Sequence, residues 1–391
     1  MIRNPLFLAR HYLKFHPRKF WVLTICGTLT ILLPLITFFV FQEVNTILTE
    51  RSERYPMIVG GKGSALGLVF HVLFYATEIS ERTTYGALTR IQKMINDNQL
   101  EGYAIPILTG YKAMQTPIVG VSADFYDFAK LSFRQGRAPG ILGEVVVGAQ
   151  IAQKLGVAPG KKIHSDIENL FNLASSFRSL LHVVGVLAPT GGPEDHVIFC
   201  DIKTTWLLSG IYHGHQKNDK LDPATSGSNI QQIGIPEYVE VTPENMDTFH
   251  PHGDPDTFPI TALIFVPGSE KARVVIQGLL NLEKDLQAVS PAHVISEFLE
   301  IIFQIKKLLH LYFVLVIIST ILLFTLVLFL SLRLREREFQ TIQRMGGSRG
   351  TIVLMVTAEY GFIFLSSLCF AVILSWVAFL ILPSLGYATL F

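Results

Sequence analysis

The side chains best suited to chemistry sit in one polar stretch, where His213 and His215 form HGH, and His250, His252, Asp254 and Asp256 fall within HPHGDPD. Imidazole and carboxylate are ligands that zinc or a similar ion accepts, so His213, His215, His250, His252 and Asp254 form the candidate metal set. The stretch 208–258 is rich in Gly, Pro, Asn, Asp and His with little periodicity, which predicts a long loop or insertion; loop histidines of this kind can equally be solvated. A second group, Glu194, Asp195 and His196, is contiguous. Adjacency does not aim three side chains at one atom, so it reads as a loop turning into a strand over 196–200. HExxH is absent from the sequence, and the one GxSxG string, Gly346-Gly347-Ser348-Arg349-Gly350, is not read as a nucleophile elbow. Gly156-Val157-Ala158-Pro159-Gly160-Lys161-Lys162 has one residue too few between its glycines for a phosphate loop and no Ser or Thr to hold magnesium, so it reads as a Pro-Gly turn. No catalytic residue is expected in this chain.

The elements that must position these residues follow from the bulk properties. Of 391 residues, 50% are hydrophobic and 16% charged, with a formal net charge of +1 and a mean hydropathy of +0.41. That is too apolar for an ordinary soluble domain and too charged for a wholly buried one, so a few membrane spans plus a sizeable water-soluble region are expected. A near-neutral chain lacks the positive charge that nucleic-acid binding requires. Cys26, Cys200 and Cys369 are far apart, which gives no disulfide framework, and Cys200 reads as a small buried hydrophobe.

Three stretches are long enough for a hydrocarbon core about 30 Å thick. They are 20–42, between Lys19 and Glu43; 308–332, between Lys307 and Arg333; and 351–382, where Glu359 is the last charge before the C-terminus. Arg3, Arg10, Lys14, Arg18 and Lys19 precede the first, and Arg333, Arg335, Arg337, Arg344 and Arg349 follow the second. By the positive-inside rule both flanks are cytoplasmic, which places 43–307 outside. Residues 1–19 read as a cytoplasmic, interfacial region whose helix spans 4–16. Asn4 would cap it and Pro17 stop it, with Leu6 and Leu13 on the membrane and Arg10 and Lys14 toward headgroups. Lys307 and His310 would mark the outer boundary.

The region 43–307 reads as mixed α/β. Strand-like runs occur at 57–59, 104–108, 118–121, 145–147, 181–187, 196–200 and 262–266; helical periods occur at 85–98 and 269–289. The apolar run 65–76 is too short to span and predicts a buried helix. Residues 292–345 contain neither Gly nor Pro. One helix over 291–334 would be roughly 66 Å long at 1.5 Å per residue, twice the bilayer core, so part of it must extend beyond the membrane as a stalk. Residues 44–53 offer a second stalk.

The segment 333–350 links the second and third apolar stretches. Phe339, Ile342 and Met345 recur at three-residue spacing, flanked by Arg337, Glu338 and Arg344, and Gly346-Gly347 then ends the helix. A short amphipathic helix of this kind suits docking into a partner's groove, and suits a solvated connector equally well.

The run REREFQTIQRMGGSRGTIVLMVTAE resembles the coupling loop of the MacB/FtsX-like, mechanotransmission-type ABC transporter permease family. EVVVGAQIAQKLGVAPGKKI followed by LHVVGVLAPTG is similar to that family's periplasmic core. The resemblance implies a helical transmembrane bundle with long stalk helices and a large mixed α/β periplasmic domain between spans 1 and 2, in the inner membrane of a bacterium. It implies a dimer of permeases, homo- or heterodimeric, served by two separate ATPase subunits that carry ATP and magnesium. In that setting Arg337, Glu338, Phe339, Ile342, Arg344, Met345, Gly346, Gly347 and Glu359 would couple this chain to the ATPase. The work would be done on a periplasmic lipoprotein, peptide, lipid or metal-related substrate, or, as in FtsX, on a periplasmic enzyme that the permease activates. The family has a fourth span. Here Leu382-Pro383 is expected to end the third, leaving 383–391 as a tail, with the fourth truncated, supplied elsewhere, or replaced by a different fold of 351–391.

Overall fold

The computed structural model describes residues 3–75, 82–166, 178–214 and 238–390. The chain divides into two compact units: Met1–Ile47 with Leu299–Leu390, and Leu48–Phe298.

The chain opens with helix α1 (Arg3–Phe15) and helix α2 (Pro17–Arg54), which runs without a break through Pro34. One face of α1, Ala9 and Leu13, is buried, while Leu6 and Phe7 remain exposed. Leu13 packs with Leu23 and Ile363, a correction to its expected place on the membrane. Small Ala9 lets the helix approach its neighbour closely enough for Leu13 to reach it.

The second unit is mixed α/β. Strand β1 (Met57–Gly61) leads to α3 (Ala65–Phe74), then β2 (Thr83–Thr84) and α4 (Gly86–Asp97). Ser64 caps α3 by accepting the Gly67 N–H. Next come β3 (Gly102–Ala113), β4 (Thr116–Val121), α5 (Asp124–Phe128), β5 (Phe133–Gly136), β6 (Glu144–Val147), α6 (Ala149–Leu155), β7 (Lys162–His164) and β8 (Arg178–Leu187). The remainder is β9 (Ile198–Asp201), α7 (Ile202–Leu208), β10 (Tyr212–Gly214), β11 (Tyr238–Glu240), β12 (Phe249–Pro251), β13 (Pro259–Ile260), β14 (Ala262–Pro267), α8 (Glu270–Leu282) and β15 (Leu286–Val289). One sheet takes the order β11-β8-β6-β9-β4-β3-β14-β1-β15, with β5 and β7 also paired to β8. β4 pairs β9 in parallel and β3 antiparallel. β1, β4 and β6 are buried along their whole length, because helices cover the sheet. Such strands read as continuous apolar runs rather than alternating ones.

Two expectations are corrected. The helical period over 269–289 breaks at Leu282, and Leu286 belongs to β15. Leucines at 279, 282 and 286 fit both a helix face and a helix-turn-strand, and pairing with β1 decides the matter. β15 ends the sheet, and its free edge is occupied: Asn281 accepts the Ala288 N–H (2.8 Å) and donates to the Ala288 carbonyl (3.3 Å). The region 208–258 is also not one loop among its described residues. β11 extends the main sheet in parallel with β8, and β10 pairs β12.

Carboxylates on this unit are held ionised by cations. Glu240 lies below the usual range because Lys162 bonds it. Burial alone would push Glu144 up, but Arg137 and the Gly140 and Ile141 amides bond it and lower it. A carboxyl depressed on folding adds stability above its unfolded pKa and loses it as pH falls through the folded one. The domain is expected to weaken steeply below about pH 4 as these carboxylates protonate, after a smaller loss that begins below about pH 6.5, because burial lowers the His196 pKa. Thermal melts across that range check it, and Glu144→Gln should flatten the acid limb.

The chain returns to the first unit through α9 (Pro291–Leu334), 44 residues without interruption, then α10 (Glu336–Arg344) and α11 (Arg349–Leu390). α2, α9 and α11 are long and apolar enough to cross a membrane. α11 passes through Pro383, so Leu382-Pro383 does not end it. A proline removes one backbone hydrogen bond, and in apolar surroundings the others persist because no water competes for them.

Candidate functional site

The linker between α9 and α11 is organised by one carboxylate. Arg335 interrupts the helix between Leu334 and Glu336, with φ −99° and ψ 10°. This break turns its side chain inward, where it is only 7% exposed. Its Nη1 donates to Glu359 Oε2 at 2.9 Å and its Nε to Glu338 Oε2 at 3.1 Å. The guanidinium lies 3.6 Å from the Tyr12 ring centre and 5.1 Å from that of Phe339. Glu359 itself is 1% exposed and accepts a second cation, Lys19 Nζ, at 2.7 Å. Lys19 also donates to Ser331 Oγ at 2.9 Å. A single acid on α11 thus gathers α1, α2, α9 and α10.

Such a cluster holds together because the carboxylate is fully paired. Two cations and the four hydrogen bonds they donate offset the cost of burying the charges, and removal of any member leaves the others less well matched. Glu359 is therefore held inside the helical unit, paired with Lys19 and Arg335.

The rest of the expected coupling set divides in two. Arg337, Glu338 and Arg344 are exposed, and Met345 is 76% exposed. Phe339 and Ile342 are half-buried, so the ridge they were expected to form with Met345 is partly turned to the protein. Phe339 lies beside Arg335, and Ile342 beside Gly347. The Gly346 N–H donates to the Gln343 carbonyl and the Gly347 N–H to that of Ile342, closing the helix in the manner of a glycine C-cap. Gly346 has φ +89°, and a Cβ on Gly347 would come within 2.8 Å of the Ile342 carbonyl oxygen. Both glycines are required, for different reasons. Gly347→Val is expected to fray the end of α10, seen as faster amide exchange from Ile342 onward with α11 unchanged.

No protein-family model and no curated protein matches the chain. It is similar to the solved periplasmic region of MacB from Actinobacillus actinomycetemcomitans, at 10% identity and a TM-score of 0.36, over 65% of this chain and 97% of that one. It is also similar to the extracellular domain of the noncanonic ABC-type transporter YknZ from Gram-positive bacteria, at 10% identity and a TM-score of 0.34, over 60% and 98% of the two chains.

Lys19 and Tyr12 escape sequence reasoning, and which loop arginine meets Glu359 is decided only by packing. Lys19 counts in sequence only as one of the flanking cations that set orientation, and nothing in a basic run tells which member turns inward. The available signal is Glu359, an isolated acid in an apolar helix that calls for a cation near the same end.

A second buried pair lies in the mixed domain. Arg51, in the last turn of α2, donates through Nη2 to Glu194 Oε1 at 2.7 Å and through Nη1 to Oε2 at 3.3 Å, and its Nε bonds the Leu73 carbonyl. The Tyr75 hydroxyl donates to Glu194 at 3.0 Å. Burial would push the Glu194 carboxyl up, but the Arg51 charge and these hydrogen bonds hold it below the usual range. Burial, and then the same carboxylate, drive the Tyr75 phenol well up. Asp195 instead accepts the Thr190 and Gly191 amides and so fixes the turn.

In the histidine segment the backbone sets His213 opposite His250 across β10 and β12. The His250 and His252 rings are 4.8 Å apart, and Asp254 accepts the Asp256 N–H at 3.1 Å. His215 lies outside the described residues. Among the described residues no group of three His, Cys, Asp or Glu side chains is placed to hold a metal.

Proposed function

We propose that this chain is the non-catalytic permease subunit of a MacB/FtsX-like ABC transporter, in which α10 seats in a separate ATPase and ATP-driven movement passes into α9. The observation that carries this reading is the rigid mounting of α10, which Arg335 ties to Glu359 on one side and a two-glycine stop closes on the other. A short helix fixed at both ends between two long apolar ones moves them when it is moved; a loose connector does not. α9 then offers 44 residues of unbroken helix as the rod. The cationic flanks of α2 and α9 support an arrangement with α10 in the cytoplasm and the mixed domain outside a bacterial inner membrane. Two ATPase copies and a second permease complete the assembly, acting on a periplasmic lipoprotein, peptide, lipid or metal-related substrate.

The test is purification of the full chain from its native membrane and identification of what accompanies it. An ABC ATPase in stoichiometric amount is expected, with Phe339→Asp or Ile342→Asp lowering its membrane-stimulated hydrolysis roughly tenfold or more by burying an unpaired charge at the contact. Absence of such an ATPase, or hydrolysis indifferent to both substitutions, removes the reading.

A further inference from the structure

α1 ends one residue before α2 begins, and the apolar stretch of α2 starts at Phe20. So short a link keeps α1 at the level of the headgroups wherever α2 crosses a bilayer. The two faces of α1 differ. On one, Ala9 and Leu13 are buried, Leu13 against Leu23 and Ile363, and the Tyr12 ring centre lies 3.6 Å from the Arg335 guanidinium. That packing fixes the other face outward. Phe7 is 60% and Phe15 78% exposed there, and Leu8, Arg10, His11 and Lys14 are exposed with them.

At 3.6 residues per turn, Phe7, Leu8, His11 and Phe15 fall within about 100° of one another, and Arg10 and Lys14, one turn apart, run along their edge. The charge on this face is unopposed. The first acid in the chain is Glu43, beyond the apolar stretch. Glu359 and Glu338 are taken by Lys19 and Arg335, and among the described residues Arg10, Lys14 and Arg18 form no ion pair. Aromatic rings beside cations suit the boundary between headgroups and acyl chains, where the rings sink and the charges stay with the phosphates. The short link to α2 makes those phosphates the nearest anions.

We propose that this face of α1 is a docking surface that selects phospholipids of net negative charge. Phe7, Leu8 and Phe15 enter the acyl region, the role expected of Leu13, which the protein interior has taken. Arg10, Lys14 and Arg18 then meet the headgroups. A zwitterionic headgroup carries its own cation, which these side chains repel, whereas a glycerol headgroup leaves the phosphate charge unopposed. Packing on α11 and Arg335 already holds the helix, so little ordering is lost when lipid binds. The inference needs α2 to span a membrane and does not rest on the coupling reading.

The experiment is photocrosslinking of the full-length chain with p-benzoylphenylalanine in place of Phe15, in nanodiscs of equimolar phosphatidylglycerol and phosphatidylcholine and in native membranes. Mass spectrometry identifies the adducts. Phosphatidylglycerol adducts are expected to exceed its share of the bilayer roughly tenfold or more, and the excess to fall about fivefold in each of Arg10→Gln and Lys14→Gln, the attraction one cation gains at an anionic surface. High salt should lower it as well. The same probe in place of Leu322, which is 65% exposed in the apolar part of α9, should return the bulk lipid ratio. Arg10 and Lys14 are exposed, so both variants should keep the parent's thermal unfolding. Adducts at the bulk ratio, an excess indifferent to both substitutions, or a protein adduct in place of lipid in native membranes overturns the proposal; the last assigns the face to an acidic protein partner.

Discussion

Glu359→Ala is expected to destabilise the helical unit by about 3–5 kcal/mol, the range found when one member of a buried ion pair is removed. The substitution strands Arg335, which is 7% exposed, and frees Lys19 from its second anchor at the same time. Glu359→Gln keeps the shape and two hydrogen-bonding positions but loses the charge, so a smaller loss is expected. Denaturation of the full chain in mixed micelles measures both. Because Arg335 also holds Glu338 and flanks Phe339, the same variant should loosen α10, raising amide exchange across 336–344. Stability of Glu359→Ala within about 0.5 kcal/mol of the parent, the scatter of a neutral surface change, would show that the cluster does not hold these helices together.

Arg51→Met is the second large change. It leaves Glu194 buried with the Tyr75 hydroxyl as its remaining side-chain donor, and a loss of about 3–5 kcal/mol is again expected, now in the mixed domain. Arg51→Met combined with Glu194→Leu should recover most of it, because an apolar pair of similar volume has no charge to desolvate. Thermal unfolding at pH 7 reads both. Acid provides an independent check: the parent should lose stability on acidification as Glu194 protonates, and the double variant should lose less. If the double variant is no better than Arg51→Met alone, the packing of the arginine stem and not its charge is what matters.

Much of the architecture was open to reading from residues alone. Runs of 20 or more uncharged apolar residues have one compact explanation, and α2, α9 and α11 occupy them. A stretch free of Gly and Pro can remain helical for 44 residues, as α9 does. Strands buried on both faces declare themselves as apolar blocks, and β1, β3, β4, β6, β8 and β14 lie where such blocks occur. Short edge elements were harder. β5, β7 and β11 hold three or four residues each, with polar members among them, and exist because β8 offers them a ladder. No local pattern encodes a partner so distant in sequence.

The candidate coupling site shows the same division. The alternation of charge and apolar residues in Glu336–Arg344, and the glycine pair after it, are local facts, and they determine a short amphipathic helix with a sharp end. Which of five arginines turns inward, which lysine of a basic run joins it, and that both meet Glu359 are decided by the packing of α1, α2, α9, α10 and α11 together. An ion pair across 340 residues of chain leaves no trace in spacing. Sequence determines where a chain can be helical, apolar or stopped, because those properties reside in single residues and their near neighbours. Tertiary structure decides which charges share a low-dielectric site, because that energy belongs to the pair and arises only once both are brought out of water.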